Sequence, residues 1–235
     1  VTADEVVFAN QKGTVIIIKM IKAVLFDMDG TILDTEPVYK KAWKSAFERA
    51  NVEFSNELFD KCVGLPISLT KKYVTEYYND AELFDITFPM AAAWAARYKE
   101  WNGIPIKPGF FELQDFLQKK GIVSVIATST SHEAAVEDLT YSNIFNCFKG
   151  IIGGDDVEKG KPSPAPYIKA AALAGASVDE CIAVEDSING IRSAVSAGVK
   201  CVFIRDFLDI PDNIENMIYK RVNDLSEVIG VINNL

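Results

Sequence analysis

The sequence predicts an α/β fold, a Rossmann-like parallel sheet core with an inserted helical domain. Three observations predict it. From Met20 onward short apolar runs rich in β-branched residues alternate with helical patterns, the signature of βαβ units whose strands are covered on both faces. Residues 36–102 break that alternation, with four helical patterns and no convincing strand. Carboxylates and hydroxyls follow the apolar runs, and in an open parallel sheet ligands bind at the carboxyl ends of the strands.

In chain order, the predicted strands are 21–26, 122–127, 147–152, 181–184 and 200–204. The helices between them are expected at 109–120, 132–139, 164–174 and 188–197. Gly121, Gly175 and Gly198 each follow a helix where a left-handed cap is wanted. Inside the insert, helical spacing covers 38–50, 56–61, 68–79 and 89–101. The Pro/Gly-rich Ile104-Pro105-Ile106-Lys107-Pro108-Gly109 marks the return to the alternating pattern. The expected domains are therefore 20–34 with 105–235 as the α/β core and 35–104 as the helical domain. Residues 1–19 read as a leader, or a segment added ahead of a natural start at Met20. The competing reading pairs Val6–Phe8 with Val15–Ile18 as a hairpin turning at Lys12-Gly13.

The chain of 235 residues is 49% hydrophobic, enough for a sizeable core, and its net charge of −9 argues against nucleic acid as a partner. Cys62, Cys147, Cys181 and Cys201 form no C-x-x-C pair and read as small buried hydrophobes of a reducing compartment. The Val15–Ile18 run is too short to span a membrane and no signal-peptide pattern precedes it. A cytoplasmic monomer without membrane contact is expected.

The chemistry gathers after the strands. Asp27 and Asp29 end the first run, and like charges there are costly unless a cation sits between them. The second run ends in Thr128-Ser129-Thr130-Ser131, hydroxyls at a helix start suited to phosphate. Lys161, followed by Pro162 and Pro164, supplies a fixed positive charge, and the fourth run ends in Glu185-Asp186. Such an inventory fits phosphoryl transfer, which is mostly positioning and charge neutralisation, with Mg²⁺ held by oxygen ligands including Asp27 and Asp186.

Asp27-x-Asp29-Gly30-Thr31, Thr128, Lys161-Pro162 and Glu185-Asp186, in this order from about Ile21 to Ile204, resemble the four motifs of the haloacid dehalogenase superfamily. The helical insert after the first motif resembles the cap of its β-phosphoglucomutase-like branch. The resemblance implies Asp27 as nucleophile and Asp29 as general acid, then base. It implies Thr128 and Lys161 on the transferring phosphoryl group, beside Ser129, whose hydroxyl at the helix start suits phosphate. Mg²⁺ would be held by Asp27, Asp186, the backbone carbonyl of Asp29, and Glu185 directly or through water. The aspartate at 29 favours phosphoryl chemistry over dehalogenation.

The expected activity is a Mg²⁺-dependent phosphatase acting on a small phosphorylated metabolite, a sugar phosphate by the likeness of Asp34-Thr35-Glu36-Pro37 to such enzymes. Glu36, Tyr39, Gly64 and Leu65 are the substrate candidates of the insert, with Lys40, Trp43, Pro66, Lys71 and Lys72 beside them. A phosphohexose mutase is the alternative. β-Phosphoglucomutases carry histidine where this chain has Tyr39, and a cap-loop arginine where it has Gly64-Leu65-Pro66-Ile67, so hydrolysis is preferred. A binding protein that keeps the fold without turnover is the third reading.

Plainer roles stand beside these. Thr128 and Ser129, or Glu185 and Asp186, could simply cap the helices that follow them. His132, the only histidine, reads as a surface residue, and Asp155 and Asp156 as a solvated loop, with Asp155 kept as an outside candidate for the metal site. The insert's aromatics, from Trp43 to Tyr98, read mostly as core rather than as a sugar platform.

Overall fold

A computed structural model describes residues 5–9, 15–63, 65, 67–206 and 209–235. The elements in order are β1 (Glu5–Ala9), β2 (Val15–Lys19), β3 (Ala23–Phe26), α1 (Glu36–Arg49), α2 (Asn56–Cys62), α3 (Ile67–Tyr78), α4 (Leu83–Asn102), α5 (Phe110–Lys120), β4 (Val123–Ala127), α6 (His132–Tyr141), β5 (Gly150–Ile152), α7 (Ala165–Ala174), β6 (Cys181–Glu185), α8 (Ile188–Ser196), β7 (Lys200–Ile204), α9 (Asp212–Glu215), β8 (Lys220–Val222) and α10 (Glu227–Asn233). They fall into two compact units, one of residues 1–33 and 106–235, the other of residues 34–105.

The first unit is built on a six-stranded, all-parallel sheet in the order β5-β4-β3-β6-β7-β8. Its centre is the short strand Ala23-Val24-Leu25-Phe26, every residue fully buried. Four consecutive apolar residues suit a strand that meets helices on both faces. Consecutive crossovers run from β3 out to β4 and β5 on one side, then back to β6, β7 and β8 on the other. The strand order therefore reverses between β3 and β6, and the carboxyl ends of strands at such a switch point are where ligands bind in open parallel sheets. One face carries Leu25, Val125, Ala183, Tyr167, Ala170 and Ile191 in a common core. Gly121 and Gly175 cap α5 and α7 in the left-handed conformation, as their positions predict.

The second unit consists of α1–α4 around Phe47, Leu58, Val74, Leu83 and Phe84. Trp43 stacks on Phe47 at 5.8 Å between ring centroids, Trp94 on Tyr98 at 5.1 Å, and Tyr73 and Tyr78 pack on the same core. Tyr77, expected among the core aromatics, is 55% exposed. Among the described residues, no helix is long and apolar enough to cross a membrane.

Several boundaries differ from the sequence expectation. Residues 5–9 and 15–19 pair antiparallel as a separate two-stranded sheet, the arrangement of the competing hairpin reading, while the turn at Lys12-Gly13 lies outside the described residues. The helix expected from Pro89 starts at Leu83. The Asp80 carboxylate accepts from the backbone N–H groups of Glu82 and Leu83 and opens it there. Pro89 costs the helix one hydrogen bond without ending it. The third strand begins at Gly150 rather than Cys147, because 145–147 form a 3₁₀ turn that leaves Cys147 exposed while the other cysteines are buried. The sixth strand, Lys220–Val222, is too short and too charged to read as one.

Candidate active site

All four motifs meet at the carboxyl end of the sheet in the first unit. Asp27 continues the ladder past β3, its N–H donating to Val184 O at 2.9 Å, which sets it beside Glu185 at the end of β6. The chain then turns: Ile32 N and Leu33 N both donate to Met28 O, and Gly30 takes φ +80°. The turn is why Asp29 does not simply follow Asp27 along the strand. Asp29 Oδ2 accepts from the Thr130 hydroxyl at 2.7 Å, so Asp27 and Asp29 have different partners.

Among the described residues, Lys161 is the cation paired with Asp27 and Glu185, with its side chain 3% exposed. Its ammonium donates to Asp27 Oδ1 and to Glu185 Oε1, each at 2.5 Å, and lies 5.2 Å from the Tyr167 ring centroid. Glu185 has no exposed surface. Its Oε1 also accepts from the Tyr167 hydroxyl at 2.6 Å, and Oε2 from the Ser187 hydroxyl at 3.1 Å. A Cβ on Gly190 would lie 1.9 Å from that carboxylate, so only glycine leaves it room. The Thr31 hydroxyl donates to Asp186 Oδ1 at 3.2 Å. A Cβ on Gly30 would come within 2.3 Å of Asp186 Oδ2 and 3.0 Å of Asp206 Oδ2. Asp206 in turn is paired with Lys107.

The electrostatics follow from burial. Burial pushes Asp27 up to about 8 against the pull of the Lys161 ammonium, and the Glu185 and Asp29 charges add to the rise. Asp186 is held well above the usual carboxylate range by burial, then by Asp27, Glu185 and Asp206. Burial works against the Lys161 charge, yet the Asp27 and Glu185 carboxylates outweigh it and its pKa is raised.

One oxygen from each of Asp27, Glu185 and Asp186 can be chosen so that all lie within 4.8 Å of one another. Once a cation displaces the protons that burial keeps on Asp27 and Asp186, three carboxylates against one ammonium leave two negative charges, the charge of one divalent cation. The donors are hard oxygens, as Mg²⁺ requires. The residues thus fit a Mg²⁺ site. The side chain of Asp29 is not in this cluster: its Oδ2 accepts from the Thr130 hydroxyl, which leaves its backbone carbonyl as the expected ligand.

The hydroxyl loop after β4 is resolved into separate parts. Thr128 is buried and its Oγ1 accepts from Thr130 N at 3.1 Å, whereas Ser129 is exposed. Neither caps α6, whose N-cap is Ser131. Likewise Ser187, and neither Glu185 nor Asp186, caps α8 by accepting from Gly190 N. His132 is exposed and its ring meets Asp156 Oδ2 at 2.7 Å, while Asp155 accepts from the His132 N–H. These three residues clamp the 153–156 turn to the start of α6 and stand outside the carboxylate cluster.

In the helical unit, Glu36, Tyr39 and Leu65 line one cavity of about 160 Å³ together with Trp43, Phe59 and Phe88. Gly64 and Pro66 lie outside the described residues. Lys40 pairs with Asp60 and Lys71 with Asp85, both within this unit.

Sequence reasoning missed Tyr167, Thr130, Lys107 and Asp206. Asp206 was within reach: it follows β7 just as Asp186 follows β6. Tyr167 gives no such signal, since a buried tyrosine on an apolar helix reads as core.

Residues 24–204 match the haloacid dehalogenase-like hydrolase family. A Bacillus subtilis protein, YhcW, assigned as a phosphatase, is 30% identical over 79% of this chain and 84% of its own length. The phosphorylated carbohydrates phosphatase of Thermotoga maritima is 27% identical over 77% of this chain and 84% of its own. Fructose-1-phosphate phosphatase YqaB of Escherichia coli is also 27% identical, over 77% of this chain and 95% of its own. The fold is shared with a Thermotoga maritima crystal structure assigned as a β-phosphoglucomutase (TM-score 0.79, 24% identity, 92% of this chain and 100% of that one). It is shared too with CbbY from Rhodobacter sphaeroides in complex with phosphate (TM-score 0.66, 22% identity, 89% and 96%). With its motifs assembled at one sheet edge and the match running through both units, this chain belongs to the haloacid dehalogenase-like hydrolase family.

Proposed function

We propose that the chain is a Mg²⁺-dependent phosphatase that hydrolyses a small phosphorylated metabolite, a sugar phosphate, through an aspartyl-phosphate. The observation that carries the reading is the separation of the two aspartates. Asp27 lies in the carboxylate cluster against Lys161, and Asp29 lies apart on Thr130. One is thereby suited to attack phosphorus and the other to move a proton. Names of relatives such as the phosphorylated carbohydrates phosphatase and fructose-1-phosphate phosphatase support the substrate class.

In this mechanism an Asp27 oxygen forms the bond to phosphorus as the ester P–O bond breaks, and Asp29 gives its proton to the departing alkoxide. Asp29 then takes a proton from water, whose oxygen attacks phosphorus and returns Asp27 as carboxylate. The Thr128 hydroxyl and the Lys161 ammonium hold the transferring group's oxygens. Asp27, Asp186 and the Asp29 carbonyl would hold Mg²⁺, with Glu185 behind them. When bound, the ion supplies neutralisation of the carboxylates and of the phosphoryl charge. Both Glu185 oxygens already accept from Lys161, Tyr167 and Ser187, which favours an indirect role for it over direct ligation. Glu36, Tyr39, Gly64 and Leu65 are proposed to select the metabolite. Tyr39 and the sequence 64–67 favour water over a sugar hydroxyl as the second acceptor.

The test is phosphate release across a panel of sugar phosphates and nucleotides, run beside a mutase assay. The reading expects free phosphate from sugar phosphates with Mg²⁺, none with chelator and none from Asp27→Asn. Conversion of β-glucose 1-phosphate to the 6-phosphate with negligible free phosphate would establish the mutase instead. Tight binding without turnover across the panel would establish the non-catalytic reading.

A further inference from the structure

We infer that Tyr167 is a positioning residue for the phosphoryl-transfer reaction, fixing Glu185 and through it the Lys161 ammonium against Asp27. The inference rests on the phosphatase reading above and extends it to a residue outside the four motifs.

Tyr167 lies on α7, just beyond the Lys161-Pro162-Ser163-Pro164 loop, and is fully buried. Its neighbours on the buried face of that helix are Pro166, Ala170, Ala171 and Ala174, small side chains that lay the helix close against the sheet core. The ring is therefore placed by core packing rather than by the site. From that rigid base its hydroxyl donates to Glu185 Oε1 at 2.6 Å. The same oxygen accepts from Lys161 at 2.5 Å. Lys161 is thus held from three sides: by Asp27, by Glu185 and by the face of the Tyr167 ring 5.2 Å away.

The shared acceptor gives the hydroxyl its role. Lys161 divides its pull between Asp27 and Glu185. A Glu185 oxygen that also accepts from Tyr167 needs less from the lysine, so the ammonium remains available to Asp27 and to the transferring oxygens. Without the hydroxyl, that buried carboxylate draws the ammonium toward itself and away from the reacting atoms. Ser187 cannot substitute, because it serves the opposite oxygen, Oε2.

Tyr167→Phe removes the hydroxyl and keeps the ring. One charge-assisted hydrogen bond corresponds to a loss of about tenfold, expected in kcat with KM changed by less than about threefold. Binding of inorganic phosphate in the presence of Mg²⁺, read by calorimetry, should weaken by about the same factor. A double-mutant cycle with Glu185→Gln separates positioning from general destabilisation. If Tyr167 acts through Glu185, removing its hydroxyl from Glu185→Gln costs less than about twofold further.

Additive losses, or wild-type kcat and phosphate affinity in Tyr167→Phe, would overturn the inference while leaving the phosphatase reading intact. A wild-type chain that releases no phosphate from any substrate overturns that reading instead. The calorimetric arm then still decides whether Tyr167 positions the site.

Discussion

Replacing Lys161 by methionine tests how the charges of the site are balanced. Methionine keeps most of the buried stem and removes the ammonium. In the folded chain that ammonium is almost wholly buried and reaches two carboxylates at 2.5 Å each. Its loss takes away the ammonium that pairs with Asp27 and Glu185 and leaves them grouped with Asp186. Breaking a buried pair by removing one partner costs about 3–5 kcal/mol, because a charge is left uncompensated. A domain's entire stability is about 5–15 kcal/mol. The variant should therefore fold but unfold at a much lower urea concentration, in chelator at about pH 7. Lowering the pH to about 5 should recover part of the loss, since the folded variant must hold protons on these buried carboxylates that the unfolded chain releases above about pH 4. Mg²⁺ should recover part of it at neutral pH by the same logic. A loss below about 1 kcal/mol, or an equal loss at both pH values, would refute the charge balance.

Other consequences follow from the same geometry. Because burial raises Asp27 to about 8, the folded chain keeps a proton that the unfolded chain has released. Stability of the metal-free wild type should thus fall as pH rises from about 4 to about 8, and saturating Mg²⁺ should flatten that fall; urea midpoints in chelator that rise over this window would contradict it. Gly30→Ala forces a Cβ to within 2.3 Å of Asp186 at φ +80°, so the Mg²⁺ concentration for half-maximal activity should rise at least about tenfold. Gly121→Ala has a similar φ of +68° but nothing within 4 Å, and should cost only about 1 kcal/mol of stability with activity unchanged. Thr130→Val removes the donor to Asp29 and should lower kcat by about tenfold with little change in KM.

Much of the core was legible because its signals are local. A fully buried parallel strand must be a continuous apolar run, and Ala23–Phe26 is one. Asp27, Thr128 and Asp186 each follow directly on a strand and could be read one after another, while Lys161 lies nine residues past β5 and is legible from the Gly160-Lys161-Pro162 loop. What escaped depends on contacts distant in sequence. The Thr130–Asp29 bond joins residues 101 apart, and the Lys107–Asp206 pair joins residues 99 apart. Nothing in the run Thr128–Ser131 tells which hydroxyl will meet Asp29. Tyr167 is closer to its partner, but apolar helix periodicity conceals a single buried hydroxyl. In the helical unit, Glu36, Tyr39, Trp43 and Leu65, read together as candidates on one face, line one cavity. The pairing of β1 with β2 was ambiguous because Met20, directly before β3, suits a natural start with a leader ahead of it as well as the end of an added strand.

The central claim is that Asp27 carries the phosphoryl group between its two transfers. Acid-quenching the enzyme in steady state with Mg²⁺ and an excess of a sugar phosphate that it hydrolyses, followed by mass spectrometry of its peptides, tests this directly. The mass of one phosphoryl group is expected on the peptide containing Asp27, and none in Asp27→Asn, which also releases no phosphate. Phosphate release by Asp27→Asn at the wild-type rate, with no label on that peptide in either protein, would contradict it.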